Sequence, residues 1–318
     1  MHPQSFAYRA VLGAIGWSAL LWACGRQDLS HLSEGNSRTV RKEYWREMAP
    51  LCAGYPAKAN CIDGDMALFS GLLCAAGEDL ACAMVRDSQD IDGRWWRSPR
   101  RNPGNLGESQ SFSRDMSLGV LLYLVTSHDV QAAQRWLDWI VNNRACLVNK
   151  PLGGCLVRGP YRFCRDDHNG ACTMTPGNWA LLGRVWSALG LEPSEQMRLA
   201  SGLDSAALLL QAKAAPLGYE AHLPAVEVLL KQQLNADDRA RAKAAVTLAE
   251  RQPQNPFFVY LRDGASSALQ QRLLSLCPGP ASPSPERNQW AWERATDEQA
   301  WRNSMGWDCL FMAKLSGL

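Results

Sequence analysis

The sequence predicts an all-α fold, an (α/α) toroid of about six helical hairpins stapled by disulfides. Three observations predict this. Apolar residues recur at intervals of three and four along most of the chain, which indicates buried helical faces. These periodic segments come in pairs, an apolar member after a long loop and a more charged member after a short turn. The chain also has eleven cysteines but no Cys-x-x-Cys pair, which favours disulfides over zinc or redox chemistry.

The first residues indicate export. Arg9 precedes an apolar run, residues 11–23, that is too short to span a bilayer but suits a signal-peptide core. Leu21, Ala23 and Cys24 resemble the lipid-attachment signal of bacterial lipoproteins. That resemblance implies cleavage after residue 23, a lipid on Cys24, and a place in the bacterial cell envelope facing the periplasm or the cell surface. The alternatives are an ordinary secretory signal or a buried N-terminal helix.

Residues 24–37 are polar and are predicted to form a tether, followed by one domain over 38–318. Removing Cys24 from the count leaves ten cysteines, an even number that suits an oxidising compartment. Their clustering predicts local pairs: Cys52 with Cys61, and Cys74 with Cys82. Cys277 pairs with Cys309, and four cysteines pair among themselves: Cys146, Cys155, Cys164 and Cys172.

In the first half of the chain, helices are predicted over 39–48, from Asp65, over 79–88, over 115–126 and over 128–143. A loop at 92–113 separates the second pair from the first, and long loops in compact domains tend to be functional. In the second half, a disulfide-rich loop covers 144–175. Further helices are predicted from Pro176, over 193–213, from Pro224 to 234, over 236–251, 256–261, 265–277, 292–301 and 307–315.

The apolar members of the pairs would be the inner helices, six in all, with starts near Asp65, Asp115, Pro176, Pro224, Pro256 and Asp308. This arrangement resembles the (α/α)6 barrels of carbohydrate-active enzymes, glycoside hydrolases and polysaccharide lyases among them. The resemblance is one of architecture, because no family-specific motif matches. The uneven spacing leaves two alternatives open, five pairs or an irregular helical bundle.

The resemblance implies a site at the end where loops enter the inner helices. The tetrapeptide Asp65-Met66-Ala67-Leu68 returns as Asp115-Met116-Ser117-Leu118, and Asp308 begins a third apolar helix. Glycoside hydrolysis needs two carboxylates, one as acid and one as base or nucleophile. Asp65 and Asp115 are therefore the predicted catalytic pair, with four residues in reserve: Asp63, Asp308, Glu220 and His222. The alternative is that each aspartate only caps its helix.

Aromatic and basic side chains near these helix starts are the candidate substrate-binding residues, because aromatic faces hold sugar rings and guanidinium groups pair with anions. They are Trp95, Trp96, Arg97, Arg114, Tyr219 and Trp307. The expected substrate is a neutral or anionic glycan. The structural alternative is that the tryptophans pack in the core and that arginine stacks on tryptophan to stiffen a loop.

The sequence thus predicts an exported envelope enzyme, most simply a glycoside hydrolase. One alternative is a polysaccharide lyase in which Tyr219 or His222 takes a proton and Arg114 neutralises a uronate. The other is a glycan-binding or structural lipoprotein without catalysis. A net charge of +2 gives no electrostatic reason to expect nucleic acid. No phosphate loop, dinucleotide fingerprint or zinc-protease motif occurs, and neither a cofactor nor a metal is expected.

Overall fold

The computed structural model describes residues 30–58, 61, 64–100, 112–164, 172–235, 239–281 and 306–318. The chain divides into two compact units, Met1–Val40 and Arg41–Leu318. Helix α1 (Ser30–Met48) begins inside the range predicted as a tether, and its last turns belong to the second unit.

The described part of Arg41–Leu318 is mostly helical, as the periodicity predicted. A short ribbon comes first, β1 (Leu51–Cys52) and β2 (Tyr55–Pro56), and then α2 (Met66–Ala75), α3 (Asp79–Asp87), α4 (Arg114–Ser127) and α5 (Val130–Asn142). A hairpin of β3 (Cys146–Asn149) and β4 (Cys155–Arg158) interrupts the helices. It lies where the sequence predicted a disulfide-rich loop.

The second half continues with α6 (Pro176–Ala188), α7 (Glu195–Leu199), α8 (Leu203–Ala214) and α9 (Tyr219–Gln233). It ends with α10 (Arg239–Arg251), α11 (Pro256–Asp263), α12 (Ser267–Leu276) and α13 (Trp307–Ser316). The helix predicted over 292–301 lies outside the described residues. None of the helices that the structure describes is long and apolar enough to cross a membrane.

Several helix starts follow from local chemistry. Thr175 and Asn178 form a reciprocal capping box at α6, and Pro176 occupies its first position. The side chain of Asn255 accepts hydrogen bonds from the backbone N–H groups of Phe257 and Phe258 at the start of α11. These caps satisfy backbone donors that have no partner inside their own helix. They explain why α6 and α11 begin where the sequence predicted.

Helix α9 begins earlier than predicted. The sequence indicated a start at Pro224, but the helix begins at Tyr219 and contains the proline. Pro224 lacks the N–H that would bond to the carbonyl of Glu220, which normally weakens a helix. Burial of Ala221 and His222 in the preceding turn favours the helical path nonetheless. The shift brings Tyr219 and Glu220 into the first turn of the helix.

Contacts between helices link most of the predicted inner set. Helix α2 packs against α4, α4 against α9, α9 against α11, α11 against α13, and α13 against α2. Helix α6 contacts α4 and continues to α7 and α8 instead. One hydrophobic core includes buried residues of these helices and extends in sequence from Trp45 on α1 to Ala313 on α13. The toroid of six hairpins stays a prediction.

Five disulfides staple the described chain, and each predicted pairing is confirmed. They join Cys52 to Cys61, Cys74 to Cys82, and Cys277 to Cys309. The four central cysteines pair as neighbours, Cys146 with Cys155 and Cys164 with Cys172. Such a set of disulfides indicates an extracellular or otherwise oxidising compartment.

Candidate functional site

A cavity of about 530 Å³ opens between α4, α6, α8 and α9. Four carboxylates line it: Asp115, Asp204, Glu220 and Glu227. Arg114 is a basic residue in the same lining, and apolar walls come from residues such as Leu118 and Leu181. Among the described residues of this lining there is no tryptophan, tyrosine or phenylalanine. The cavity is therefore acidic and aliphatic, not the tryptophan-lined cleft that a sugar site predicts.

Asp115 lies at the mouth of this cavity, one residue into α4. The hydroxyl of Tyr219 donates a hydrogen bond to its carboxylate at 3.2 Å. Burial raises the pKa of Asp115, and the hydrogen bond from Tyr219 opposes that rise. The negative charges of Asp65 and Glu220 raise the pKa further, while Arg114 lowers it. Asp115 is thus a carboxyl that holds its proton to higher pH than an ordinary aspartate, as a general acid requires.

Beneath the mouth, a buried ionic network forms the floor of the cavity. The carboxylate of Asp204 on α8 accepts bonds from Lys231 Nζ at 2.5 Å and from Arg184 Nε at 2.6 Å. Lys231, fully buried on α9, also lies 3.8 Å from the Glu227 carboxylate one turn away. The negative charges of Asp204 and Glu227 thus lie next to the positive charges of Lys231 and Arg184. That balance matters because an unpaired charge at this depth is strongly destabilising.

The close crossing of α2 and α4 brings their first turns together. A Cβ atom added to Gly71 would overlap the backbone of Gly119, and one added to Gly119 would overlap the backbone of Ala67. Only glycine allows two helices to approach this closely. The crossing lies one turn beyond Asp115, and it accounts for the effect of Asp65 on the pKa of Asp115.

Asp65 has a different setting from Asp115. It precedes the first residue of α2 with a left-handed backbone (φ 60°), and its side chain makes no capping hydrogen bond. Its carboxylate lies 3.8 Å from Lys58 Nζ, which also lies over the ring of Phe69. It is not part of the cavity lining. Asp65 therefore neither caps α2 through its side chain nor contacts the cavity.

Two other reserve residues that the structure describes, Asp308 and His222, do not line the cavity. Asp308 is fully buried in the first turn of α13. The ring of His222 is buried against Phe258, and its Nδ1 is 2.8 Å from the carbonyl oxygen of Gly218. Its burial places it in the core, away from a substrate. Asp63 and Cys24 lie outside the described residues.

The predicted tryptophan contacts correspond to packing. Trp95 is fully buried and meets the rings of Tyr123 and Trp136 edge to face, so its ring offers no surface to a ligand. The guanidinium of Arg94 stacks 3.8 Å above the ring of Trp96. This arrangement is the structural alternative raised for the loop, arginine stacked on tryptophan.

Trp307 is also buried, and its Nε1 donates a hydrogen bond to the carbonyl of Pro50 at 2.9 Å. Arg97 is half-buried in the same loop as Trp96. Of the predicted binding residues, Arg114 lines the cavity and Tyr219 bonds to a lining residue.

Sequence reasoning missed the cavity floor. Asp204 stands near the start of the apolar helix α8, and Glu227 and Lys231 stand four residues apart in the apolar run of α9. Charged residues within apolar helical stretches are unusual unless they are paired. That signal was present, but the partners are far apart in sequence, as with Asp204 and Lys231.

No group of metal-binding side chains occurs in the parts of the chain that the structure describes. Comparisons of the chain with protein-family models, curated proteins and solved structures found no match. The site must therefore be interpreted from its own chemistry.

Proposed function

We propose that this protein is an exported envelope enzyme that hydrolyses a glycosidic bond in a polysaccharide or oligosaccharide. The observation that carries the proposal is Asp115, a half-buried carboxyl with a raised pKa at the mouth of a 530 Å³ cavity. A carboxyl of this kind stays protonated where an ordinary aspartate is ionised. It can then donate a proton to the leaving oxygen of a sugar.

Hydrolysis needs a second carboxylate to act as base or nucleophile. Glu220 is the best candidate, because it lines the same cavity and its charge reaches Asp115. Asp65, the partner predicted from the sequence, does not line the cavity. We assign Asp65 the secondary role of raising the pKa of Asp115 through its charge.

The remaining groups have supporting roles in this proposal. Tyr219 orients the carboxyl of Asp115 through its hydrogen bond. Arg114 at the rim supplies a positive charge for an anionic sugar. The buried pairing of Asp204 with Lys231 keeps the cavity floor rigid and electrically balanced.

The test is product analysis on a panel of envelope polysaccharides with the purified protein. Asp115→Asn and Glu220→Gln should each slow release of new reducing ends by about 10²–10⁴-fold, the usual loss for an acid or base. Asp138→Asn, an exposed aspartate on α5, is the matched control and should keep full activity. Absence of product from every glycan, or full activity in Asp115→Asn, would refute the hydrolase.

A polysaccharide lyase is the second candidate, supported by the 3.2 Å contact of Tyr219 with Asp115. In that reaction Tyr219, after passing its proton to the carboxylate of Asp115, would remove the C5 proton of a uronate held by Arg114. The bond from C4 to the leaving oxygen would break, and that oxygen would take up the proton from Asp115. The same panel distinguishes the two, because a lyase produces an unsaturated uronate that absorbs ultraviolet light. Tyr219→Phe should abolish lyase activity but only reduce hydrolysis.

The non-catalytic alternative requires the aspartates to be helix caps. The side chain of Asp65 makes no capping bond, and at α4 the capping position belongs to Ser113. The cavity beside Asp115 also counts against a purely structural role. Glycan binding without any product would favour this alternative.

We further propose that a lipid on Cys24 anchors the protein to the envelope after removal of residues 1–23. The sequence Leu21 to Cys24 supports this, and the oxidising compartment indicated by the disulfides agrees with export. Cys24→Ser should move the protein from the detergent-extracted fraction into the soluble exported fraction. An unlipidated, freely soluble wild type would contradict the anchor.

A further inference from the structure

The β3–β4 hairpin is the most exposed apolar feature of the described chain. Its two strands pair antiparallel, and the Cys146–Cys155 disulfide joins them. Gly153 and Gly154, both with positive φ, close the turn. Two-stranded hairpins are marginally stable on their own in water, so the disulfide is what makes this one rigid.

Five large apolar side chains of the hairpin are exposed: Leu147 (63%), Val148 (46%), Leu152 (101%), Leu156 (63%) and Val157 (44%). They make up a third of the fifteen large apolar side chains exposed in the described chain. The pairing register shifts on either side of Val148, so the strands do not alternate regularly between two faces there. Leu147, Val148, Leu156 and Val157 are nevertheless all exposed, so the described chain leaves these apolar side chains open to solvent.

The hairpin projects from a fixed root. Arg144 Nε donates a hydrogen bond to the carbonyl of Gly159 at 2.7 Å, and its guanidinium stacks 4.3 Å from the ring centre of Tyr161. The two strands chiefly contact each other. Leu152 is therefore held at the tip of a braced ribbon, away from its own core.

All charged residues of the hairpin and its flanks are basic. Residues 144–162 contain four basic residues and no acidic one. Lys150 and Arg158, within the hairpin itself, are both exposed. Basic groups next to a lipid surface interact favourably with anionic headgroups, at about 1 kcal/mol each.

We propose that the hairpin binds the surface of an anionic phospholipid bilayer. Leu152 and its apolar neighbours would enter the boundary between headgroups and acyl chains, with Lys150 and Arg158 among the headgroups. A protein groove covers one face of a ribbon, whereas a lipid interface surrounds an inserted tip on all sides. Leu152 is fully exposed at the tip, and this exposure together with the basic flanks fits the lipid surface better. This inference is independent of the proposed activity and of the lipid on Cys24.

The test is vesicle flotation with the full exported chain carrying Cys24→Ser, so that no lipid on that cysteine contributes. Vesicles of phosphatidylcholine alone are compared with vesicles that also contain phosphatidylglycerol. Binding should require phosphatidylglycerol and weaken with added salt. Leu152→Ser should lower the partition coefficient about tenfold, as expected for loss of a buried leucine side chain. Lys150→Gln should lower it about fivefold.

Leu199→Ser is the matched control, because Leu199 on α7 is 78% exposed and lies outside the hairpin. It should bind like the parent. The proposal is overturned if Leu152→Ser and Leu199→Ser bind equally, or if phosphatidylglycerol makes no difference. It is also overturned if the parent does not bind vesicles but forms a dimer that Leu152→Ser dissociates. In that case a second copy of the chain covers the hairpin.

Discussion

The tetrapeptide Asp-Met-small-Leu occurs at the starts of α2 and α4, and the two helices use its aspartate differently. In α2 the aspartate precedes the helix, so Asp65 lies outside the cavity beside Lys58. In α4 it is one residue inside the helix, so Asp115 lines the cavity and its pKa rises. The two aspartates thus differ by two positions relative to the start of their helices, and of the two only Asp115 lines the cavity.

The two starts also differ in what lies nearby. The cavity that Asp115 lines has a floor of balanced buried charges, whereas the groups nearest Asp65 are Lys58 and a ring face. Burial and pairing on the α4 side predict large responses to substitution. Partial solvation on the α2 side predicts small ones. The predictions below test that contrast in order of expected effect.

The largest effect is expected from Lys231→Met. It removes a fully buried cation that contacts the carboxylates of both Asp204 and Glu227, so the free energy of unfolding should fall by about 3–5 kcal/mol. Urea unfolding followed by circular dichroism measures it. The control is Arg198→Met, which breaks an exposed pair with Glu192 and should change stability by less than about 1 kcal/mol. Equal, small effects would show that the network is not needed for stability.

A second large effect is expected from Gly119→Ala, which acts on both regions together. The added methyl group overlaps the backbone of Ala67, so α2 and α4 must separate at a cost of about 1–3 kcal/mol. Gly177→Ala on α6 is the control, because its Cβ would make only ordinary contact with Ala207. Thermal unfolding of both variants measures the difference. A neutral Gly119→Ala would mean that the crossing is looser than the backbone distances indicate.

The sequence predicted the helices and the disulfides well, because both depend on local information. Periodic apolar residues determine a helix within a few turns, and four disulfides join cysteines eight or nine residues apart. Cys277 and Cys309 are 32 residues apart and were predicted as the pair left over. The start of α9 was predicted wrongly, since Pro224 is tolerated inside a helix whose first turn is held by burial. At this position tertiary packing outweighs the low helix propensity of proline.

The site was only partly predictable. Asp115 and Glu220 were found because helix starts attract acidic residues and the toroid resemblance directed attention to that end. Trp95 was assigned to a substrate, but its loop folds back into the core, and composition alone does not show this. The pairing of Asp204 with Lys231 depends on how α8 packs on α9, information that one sequence does not contain.

A moderate effect whose size depends on pH is expected from Asp115→Asn. Because burial raises the pKa of Asp115, the folded protein keeps this proton where the unfolded chain has lost it. Wild-type stability therefore falls as pH rises from the ordinary aspartate value of 3.8 through the raised pKa, and then levels off. Asparagine is neutral throughout, so the variant should be more stable than wild type at neutral pH.

Below pH 3.8 the advantage of Asp115→Asn should vanish, because the wild-type carboxyl is then protonated in both states. Urea midpoints measured at several pH values test this. A variant that is less stable than wild type at neutral pH would contradict the prediction. It would show that the ionised carboxylate makes a structural contact that asparagine cannot replace.

The smallest effect on stability is expected from Asp65→Asn, the same substitution at the same place in the repeated tetrapeptide. Asparagine tolerates a left-handed backbone as well as aspartate does, and the half-buried pair with Lys58 is long, at 3.8 Å, and contributes little. The free energy of unfolding should change by less than about 0.5 kcal/mol.

The more informative measurement for Asp65→Asn is the titration of Asp115, since loss of the Asp65 charge should lower the pKa of Asp115. Asp115 affects the pH dependence of stability between the ordinary aspartate pKa and its own raised pKa, so the upper limit of this pH range should fall. An NMR titration of the carboxyl signals would measure the change in pKa directly. If Asp65→Asn leaves the titration of Asp115 unchanged, the two aspartates are not coupled, and Glu220 remains the acidic neighbour through which the cavity sets the pKa of Asp115.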